Sequence, residues 1–418
     1  MNHHVLSFAA AASGHSTTFS QLGDNVSNEN PTQALQTYVS YLQGEFKLLA
    51  SHTLANGILV LPGLRAATRE EALGRIAQIG RDAINIILAN RRASLEKVYD
   101  ELVKIDVVAN SPEARDVVIY LLFAIVGRST MLFTPCPLSS GTTSTLRISS
   151  EGYKCFEQDT IPRGKWKRPI EEIFHSLGMI TPQSIRASST NLNGRDLLDT
   201  RFLNAAVVCD FADISIQWST CLLTHMSFDD SKRKLWLFAL PSFCVLHDGP
   251  ESSLLSVFYD TLKSSVEGNH MDHDNLSLDH YLREVLLSYH MLFAVDKKSR
   301  RYFRRRERRR CQEAIGFLDP TLERLCTETN PGLLDPEKIN KSVFSATGDF
   351  VILYNRMAAL QDFVRTHNPT QRTKLWNDRR DLNLAYTFRA VIIFGAIGVV
   401  LSLAQTALSA AQLFYSVK

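Results

Sequence analysis

Two stretches hold side chains whose types and spacing could do chemistry. The first, "HMDHDNLSLDH", gathers His270, Asp272, His273, Asp274, Asp279 and His280. Imidazole and carboxylate so close together suit zinc or a similar divalent ion. The same residues are ordinary in a polar loop ahead of a helix cap, so the expectation is that no metal is held. The second stretch, "KKSRRYFRRRERRR" at 297–310, puts ten basic side chains and one acid, Glu307, into fourteen positions. Its candidates for binding an anionic partner are Lys297, Lys298, Arg300, Arg301, Arg304, Arg305, Arg306, Arg308, Arg309 and Arg310. Lipid headgroups come first as that partner, at ≈ 1 kcal/mol per residue near a charged surface. RNA or an import receptor comes second, and a solvated charged end is the plain alternative.

Covalent catalysis finds no foothold. GxxxxGK[ST], GxGxxG, GxSxG and HExxH are all missing, so phosphate-loop, dinucleotide, serine-hydrolase and metalloprotease readings lack their minimal residues. His175, His225 and His290 sit among apolar neighbours and read as satisfied core histidines. No catalytic residue and no cofactor is implied.

The totals agree. Across 418 residues the net charge is only +3, so the run's nine net positives leave the rest of the chain at about −6. The positive field is therefore local, and nucleic acid is the less favoured partner. Seven cysteines, an odd number with no CxxC pair, suggest reduced and mostly buried thiols rather than a disulfide framework or a zinc knuckle.

The elements that would position these residues predict a mainly α body with a small antiparallel β-hairpin or sheet and one C-terminal transmembrane helix. Residues 1–29 read as a disordered N-terminus: the apolar stretch Val5–Ala12 is preceded only by His3 and His4, without the positive charge of a secretory signal. Residues 30–131 read as a helical bundle opened by Asn30-Pro31, by the capping box Thr68–Glu71 and by Ser111-Pro112, with "VVIYLLFAIVG" at 117–127 as a buried core helix. Residues 132–168 are rich in Ser, Thr, Gly and Pro and read as a loop. An α+β domain follows at 169–365, with a hairpin at 214–240 and a long helix at 277–312 that starts at Ser277 and runs on into the basic residues. On that geometry the cations lie nearly all round the helix and project into water.

Residues 366–389 form a basic juxtamembrane segment, and 390–414 an anchor, "AVIIFGAIGVVLSLAQTALSAAQLF". Its apolar residues include Ala390, Val391, Ile392, Ile393, Phe394, Ile397, Val399, Val400, Leu401 and Leu403. About 24 residues at 1.5 Å each span a hydrocarbon core of ~30 Å with some tilt. A buried core helix is the alternative, favoured by Gln405, Thr406, Ser409 and Gln412 in the second half. Arg372, Lys374, Arg379, Arg380 and Arg389 precede the span against Asp378 and Asp381, while only Lys418 follows. The positive-inside rule then keeps the body in the cytosol, on the endoplasmic reticulum, nuclear envelope or another internal membrane, as a tail anchor inserted after translation. Gly398, Ser402, Thr406 and Ala410, spaced by four, would let two such helices approach closely as a homo-oligomer.

From about Phe174 onward the chain resembles an uncharacterised family of filamentous-fungal predicted membrane proteins. The resemblance rests on "LDHYLREVLLSYHMLFAVDKKSRRYFRR", "FALPSFC" and "LWNDRRDLNLAYTFRAVIIFGAIGVVLSLAQ", and is most specific at the WxDRR segment Trp376–Arg380. The chain has Ala385 where the family pattern places a tryptophan before Tyr-Thr-Phe. The resemblance implies a C-terminal hydrophobic helix, no catalytic residues, and a role in hyphal-surface or colony traits.

Overall fold

The computed structural model describes residues 8–9, 12, 29–55, 68–137, 145–149, 159–170, 172–173, 197–248, 253–264, 277–346, 348–367 and 382–416. Four helices form its first part: α1 (Glu29–Ala55), α2 (Arg69–Ala89), α3 (Leu95–Lys104) and α4 (Pro112–Thr130). Their starts are dictated locally. The Thr68 hydroxyl accepts from the Glu71 N–H, and the Glu71 carboxylate accepts from the Thr68 N–H, so two otherwise orphaned donors are satisfied. Ser94 and Ser111 cap α3 and α4, and Pro112 occupies a first-turn position where its missing N–H costs nothing. Val117 to Gly127 are buried without interruption, so α4 is the central helix that its unbroken apolar run predicts.

Order reaches into the segment expected to be structureless. Phe8, Ala9 and Ala12 are helical and buried, with the Phe8 ring 5.0 Å from that of Phe46. A Cβ on Gly80 would lie 2.7 Å from Phe8, so the bare backbone of α2 is what admits the ring. Burial of this apolar stretch outweighs the ordering cost that a polar segment could not meet.

The region 132–168 is likewise more than a loop. β1 (Thr145–Arg147) and β2 (Thr160–Pro162) pair antiparallel and bury Leu146 and Ile161, and the fully buried Trp166 follows. Strands of three residues are too short to show an alternating pattern, which is why composition alone suggests a loop. Beyond it, β3 (Leu197–Asp199) pairs antiparallel with the distant β7 (Val343–Ser345).

Within 214–240 the expected hairpin is a three-stranded mixed sheet of order β4–β6–β5. β5 (Ser227–Asp229) and β6 (Lys234–Phe238) are the hairpin arms, while β4 (Ser215–Ser219) runs parallel to β6. A 3₁₀ turn at Leu222–Thr224 breaks the stretch that reads as one long strand and carries the chain across. Next come α5 (Pro241–His247) and α6 (Leu254–Ser264).

The helix expected at 277–312 is two. Ser277 caps α7 (Leu278–Tyr289), which widens into a π segment at His290–Ala294 and stops. Asp296 then caps α8 (Lys297–Tyr302), accepting from the N–H groups of Lys298 and Ser299. A second π segment, Phe303–Glu307, leads into α9 (Arg308–Ile315), ended by Gly316 at φ 91°. The chain continues through α10 (Pro320–Thr327), α11 (Pro336–Ile339), α12 (Tyr354–Thr366) and α13 (Leu382–Ser416).

The bundle and the later elements share one contiguous core. α5 packs on α1, with the Tyr38 ring 5.5 Å from Phe243 and 5.8 Å from His247. The Tyr38 hydroxyl donates to the Ser129 carbonyl of α4, which ties three elements at one side chain.

Candidate basic docking face and membrane helix

The basic run has an inside. Ser299, Phe303, Glu307 and Cys311 are fully buried at intervals of four residues. In a straight α-helix of 3.6 residues per turn that spacing drifts around the axis. A π turn, closed by i→i+5 bonds, takes more residues per turn and brings the line back onto one face. Phe303 and Glu307 of that line meet the edge strand β4, while Ser299 accepts from the Ala206 N–H. Phe303 meets Phe293 at 5.3 Å and Trp218 at 6.4 Å, and Trp218 stacks over Phe293.

Glu307, the run's sole acid, is the fastener. Its fully buried carboxylate accepts from the Trp218 indole N–H at 3.0 Å and from the Arg310 guanidinium at 2.8 Å. Arg310 also donates to the Ile216 carbonyl at 2.9 Å, closing the outer edge of β4. The cations are therefore not distributed all round, and the helix does not project into water.

The ten basic residues then sort by what they touch. Arg306 pairs with Asp210, Arg308 with Glu323, Arg309 with Glu313 and Arg310 with Glu307. Arg300 donates to the Ala294 carbonyl, and Arg304 to that of Thr327. Lys297, Lys298, Arg301 and Arg305 are exposed and make no ion pair or side-chain hydrogen bond among the described residues. The spacing of four from Ser299 to Cys311 is the sequence signal for this inward face.

Near this face α12 ends, and α13 follows later in the chain. The ring of His367, just past α12, lies 6.3 Å from Phe211, whose neighbour Asp210 is the partner of Arg306. α13 begins at Leu382. Its stretch Ala390–Gln412, 23 residues at a mean hydropathy of 2.2 with none of it buried, is long and apolar enough to cross a membrane. Phe394 is 73% exposed and Leu403 66%, against a body whose other large apolar side chains are mostly buried. A core helix would show the reverse. On the small-residue face the Thr406 hydroxyl donates to the Ser402 carbonyl at 2.8 Å, so it is satisfied within its own helix. A Cβ at Gly398 would meet nothing within 4 Å. Trp376–Arg380 lies outside the described residues.

Buried titratable groups serve the fold. His225 accepts at Nδ1 from the Phe238 N–H at 3.1 Å, leaving Nε2–H to face Ser288 Oγ at 2.7 Å. Ser288 in turn donates to the Val285 carbonyl, so the imidazole is a donor to that hydroxyl and not its base. Burial, helped by Arg356, lowers the His225 pKa to about 3. His290 Nε2 faces the Ile339 carbonyl at 3.3 Å, and burial lowers its pKa as well. Burial pushes the thiols of Cys209, Cys244, Cys311 and Cys326 above the ordinary range, the opposite of an activated nucleophile.

Two carboxylates that sequence reasoning missed act as caps across elements. Glu284 of α7 accepts from the consecutive N–H groups of Val351, Ile352 and Leu353 leading into α12, at 2.7–3.0 Å. Asp319 caps α10 through the Thr321 N–H and accepts from both the N–H and hydroxyl of Ser242 in α5. Burial raises Glu284 to about 7 and Asp319 to about 6. The signal for Glu284 was an acid inside an otherwise apolar stripe. Of the residues weighed as metal donors only Asp279 and His280 are described, and His280 turns its Nδ1 to the Ser277 hydroxyl at 2.7 Å. Among the described residues no group of three or more His, Cys, Asp or Glu could hold a metal.

No family model matches this chain, and neither a curated protein nor a solved structure matches it.

Proposed function

We propose that this is a membrane-anchored interaction protein whose C-terminal helix crosses an internal membrane once and holds the folded body on the cytosolic side. The observation that carries the reading is the contrast between α13 and everything else. The stretch Ala390–Gln412 leaves its apolar side chains uncovered while the body buries a continuous core. At roughly 25 cal/mol per Å² of apolar surface, leaving such a helix in water is strongly unfavourable, and a bilayer relieves it. The charge asymmetry across the span supports a cytosolic body. Among the described residues, His225, Glu284 and Asp319 are committed to internal bonds, which supports a scaffold or adaptor rather than an enzyme. The likeness of the second half to filamentous-fungal membrane proteins extends the reading to an accessory role in hyphal-surface or colony traits.

A fluorescent fusion of the whole chain should sediment with membranes, and the same fusion without residues 390–418 should appear in the soluble fraction. Membrane attachment of the shortened chain that persists in high salt would sink the anchor assignment.

A further inference from the structure

We propose that Lys297, Lys298, Arg301 and Arg305 form a second membrane contact, docking the body onto anionic headgroups of the same bilayer that α13 crosses. This rests on the anchor reading and names the partner of the basic face. Lys297, Arg301 and Arg305 stand at i, i+4 and i+8, and Lys298 lies seven before Arg305, so the four share one side of α8 and its π continuation. The opposite side is fixed to the body by Ser299, which accepts from the Ala206 N–H, and to the sheet by Phe303 and Glu307 against Trp218. Their neighbours Arg306, Arg308 and Arg309 are already paired with Asp210, Glu323 and Glu313. What remains is a short row of unspent positive charge, about 12 Å from end to end at 1.5 Å per residue.

The fold puts the end of α12 near the basic helix. Asp210 pairs with Arg306, and Phe211 meets His367 at the end of α12. The end of α12 therefore lies two side-chain contacts from the basic helix. Anchoring makes docking an intramolecular step with a high effective concentration, so a few weak contacts suffice. A planar anionic surface asks only for exposed cations on one side. Single-stranded RNA asks also for free aromatic faces, and here Phe303 is buried and the Tyr302 ring is covered by Arg306 at 5.5 Å.

The test uses the full chain inserted into vesicles of phosphatidylcholine alone or of phosphatidylcholine with phosphatidylserine. A fluorescent amino acid at position 312 reports proximity to the bilayer through quenching by nitroxide-headgroup lipid. Quenching should be stronger on the phosphatidylserine vesicles and fade as salt is raised. Replacing the four cations with glutamine should lower the docked-to-undocked ratio by about five-fold per cation. Exchanging Lys for Arg and Arg for Lys at the same positions should preserve docking. Equal quenching on the two lipids, or an unchanged glutamine variant, overturns the proposal. So does an RNA oligonucleotide that binds the inserted protein through these four residues while lipid charge has no effect. Flotation keeps the two readings apart: a chain that fails to float with neutral vesicles refutes the anchor. One that floats but shows charge-independent quenching refutes only the docking.

Discussion

Glu307 decides what the basic run is. Without it, the charges of 297–310 would repel one another around a free helix; with it, the helix has a buried side bound to Trp218 and Arg310. Glu307→Ala in detergent-solubilised protein should lower unfolding stability by about 2 kcal/mol, read as a shifted urea midpoint. That value lies below the cost of breaking a fully buried pair because the Arg310 side chain is 42% exposed and keeps some water when its partner goes. The partition of the cations makes a sharper comparison. Arg310→Gln should destabilise by about 1–2 kcal/mol, because Glu307 and the Ile216 carbonyl both lose a donor. Arg305→Gln should stay within about 0.5 kcal/mol of the parent. Equal costs at the two positions would mean that the run is not divided into structural and free members. Composition alone could not make this division, since ten like residues look alike until one knows which of them a single acid and a carbonyl have claimed.

At the scale of elements, two buried carboxylates stand where helix dipoles and caps usually rely on local residues. Glu284 and Asp319 have folded-state pKa values of about 7 and about 6. Both lie above the ordinary carboxylate range near ~4, so each group's contribution is fully present below that unfolded value. It is lost as pH rises through about 6 and about 7. The urea midpoint should accordingly fall from about pH 4 toward pH 8 through these two groups, and Glu284→Gln should flatten the upper part of that fall. A midpoint that climbs to pH 8 contradicts the assignment. Two glycines give a second contrast. In α1, a Cβ at Gly44 would meet nothing within 4 Å, so Gly44→Ala should stabilise by about 0.5–1 kcal/mol. In α4, a Cβ at Gly127 would lie 2.5 Å from the buried Phe133 ring, so Gly127→Ala should cost about 1–3 kcal/mol. Helix starts were legible in the sequence, because the caps at Thr68, Ser111 and Ser277 act within three residues of themselves. The parallel pairing of β4 with β6 was not, since it depends on a crossover rather than on any alternation within a strand. The break at Val295–Asp296 was half legible: Asp296 is a good cap, but the apolar stripe before it reads on without pause.

At the scale of the whole molecule, Tyr38 and α5 join the helical bundle to the sheet-bearing part. The body should therefore unfold in one transition, with tryptophan fluorescence and helical circular dichroism coinciding. Residues 1–137 made alone should bind hydrophobic dyes and aggregate, because α1 would then lack its cover from α5. Separate, well-folded halves would show instead that the interface is dispensable. The long apolar helix Ala390–Gln412 was the most legible feature of all, because its signal is local and one-dimensional. The exposed basic row needed three dimensions, since it is what remains after β4 has covered one side and scattered acids have matched others. The line from Ser299 to Cys311 has a genetic consequence as well. Inserting a single residue between Phe303 and Glu307, where the π turn already takes up the surplus, would turn everything after it by about 100°. Arginines would then point at Trp218 and the fastening acid would point outward. Such a lesion removes no charge, yet it should uncouple the helix from the body, whereas swapping lysine for arginine on the outer row should pass unnoticed. In this segment, selection should act on rotational phase more than on the number of cations.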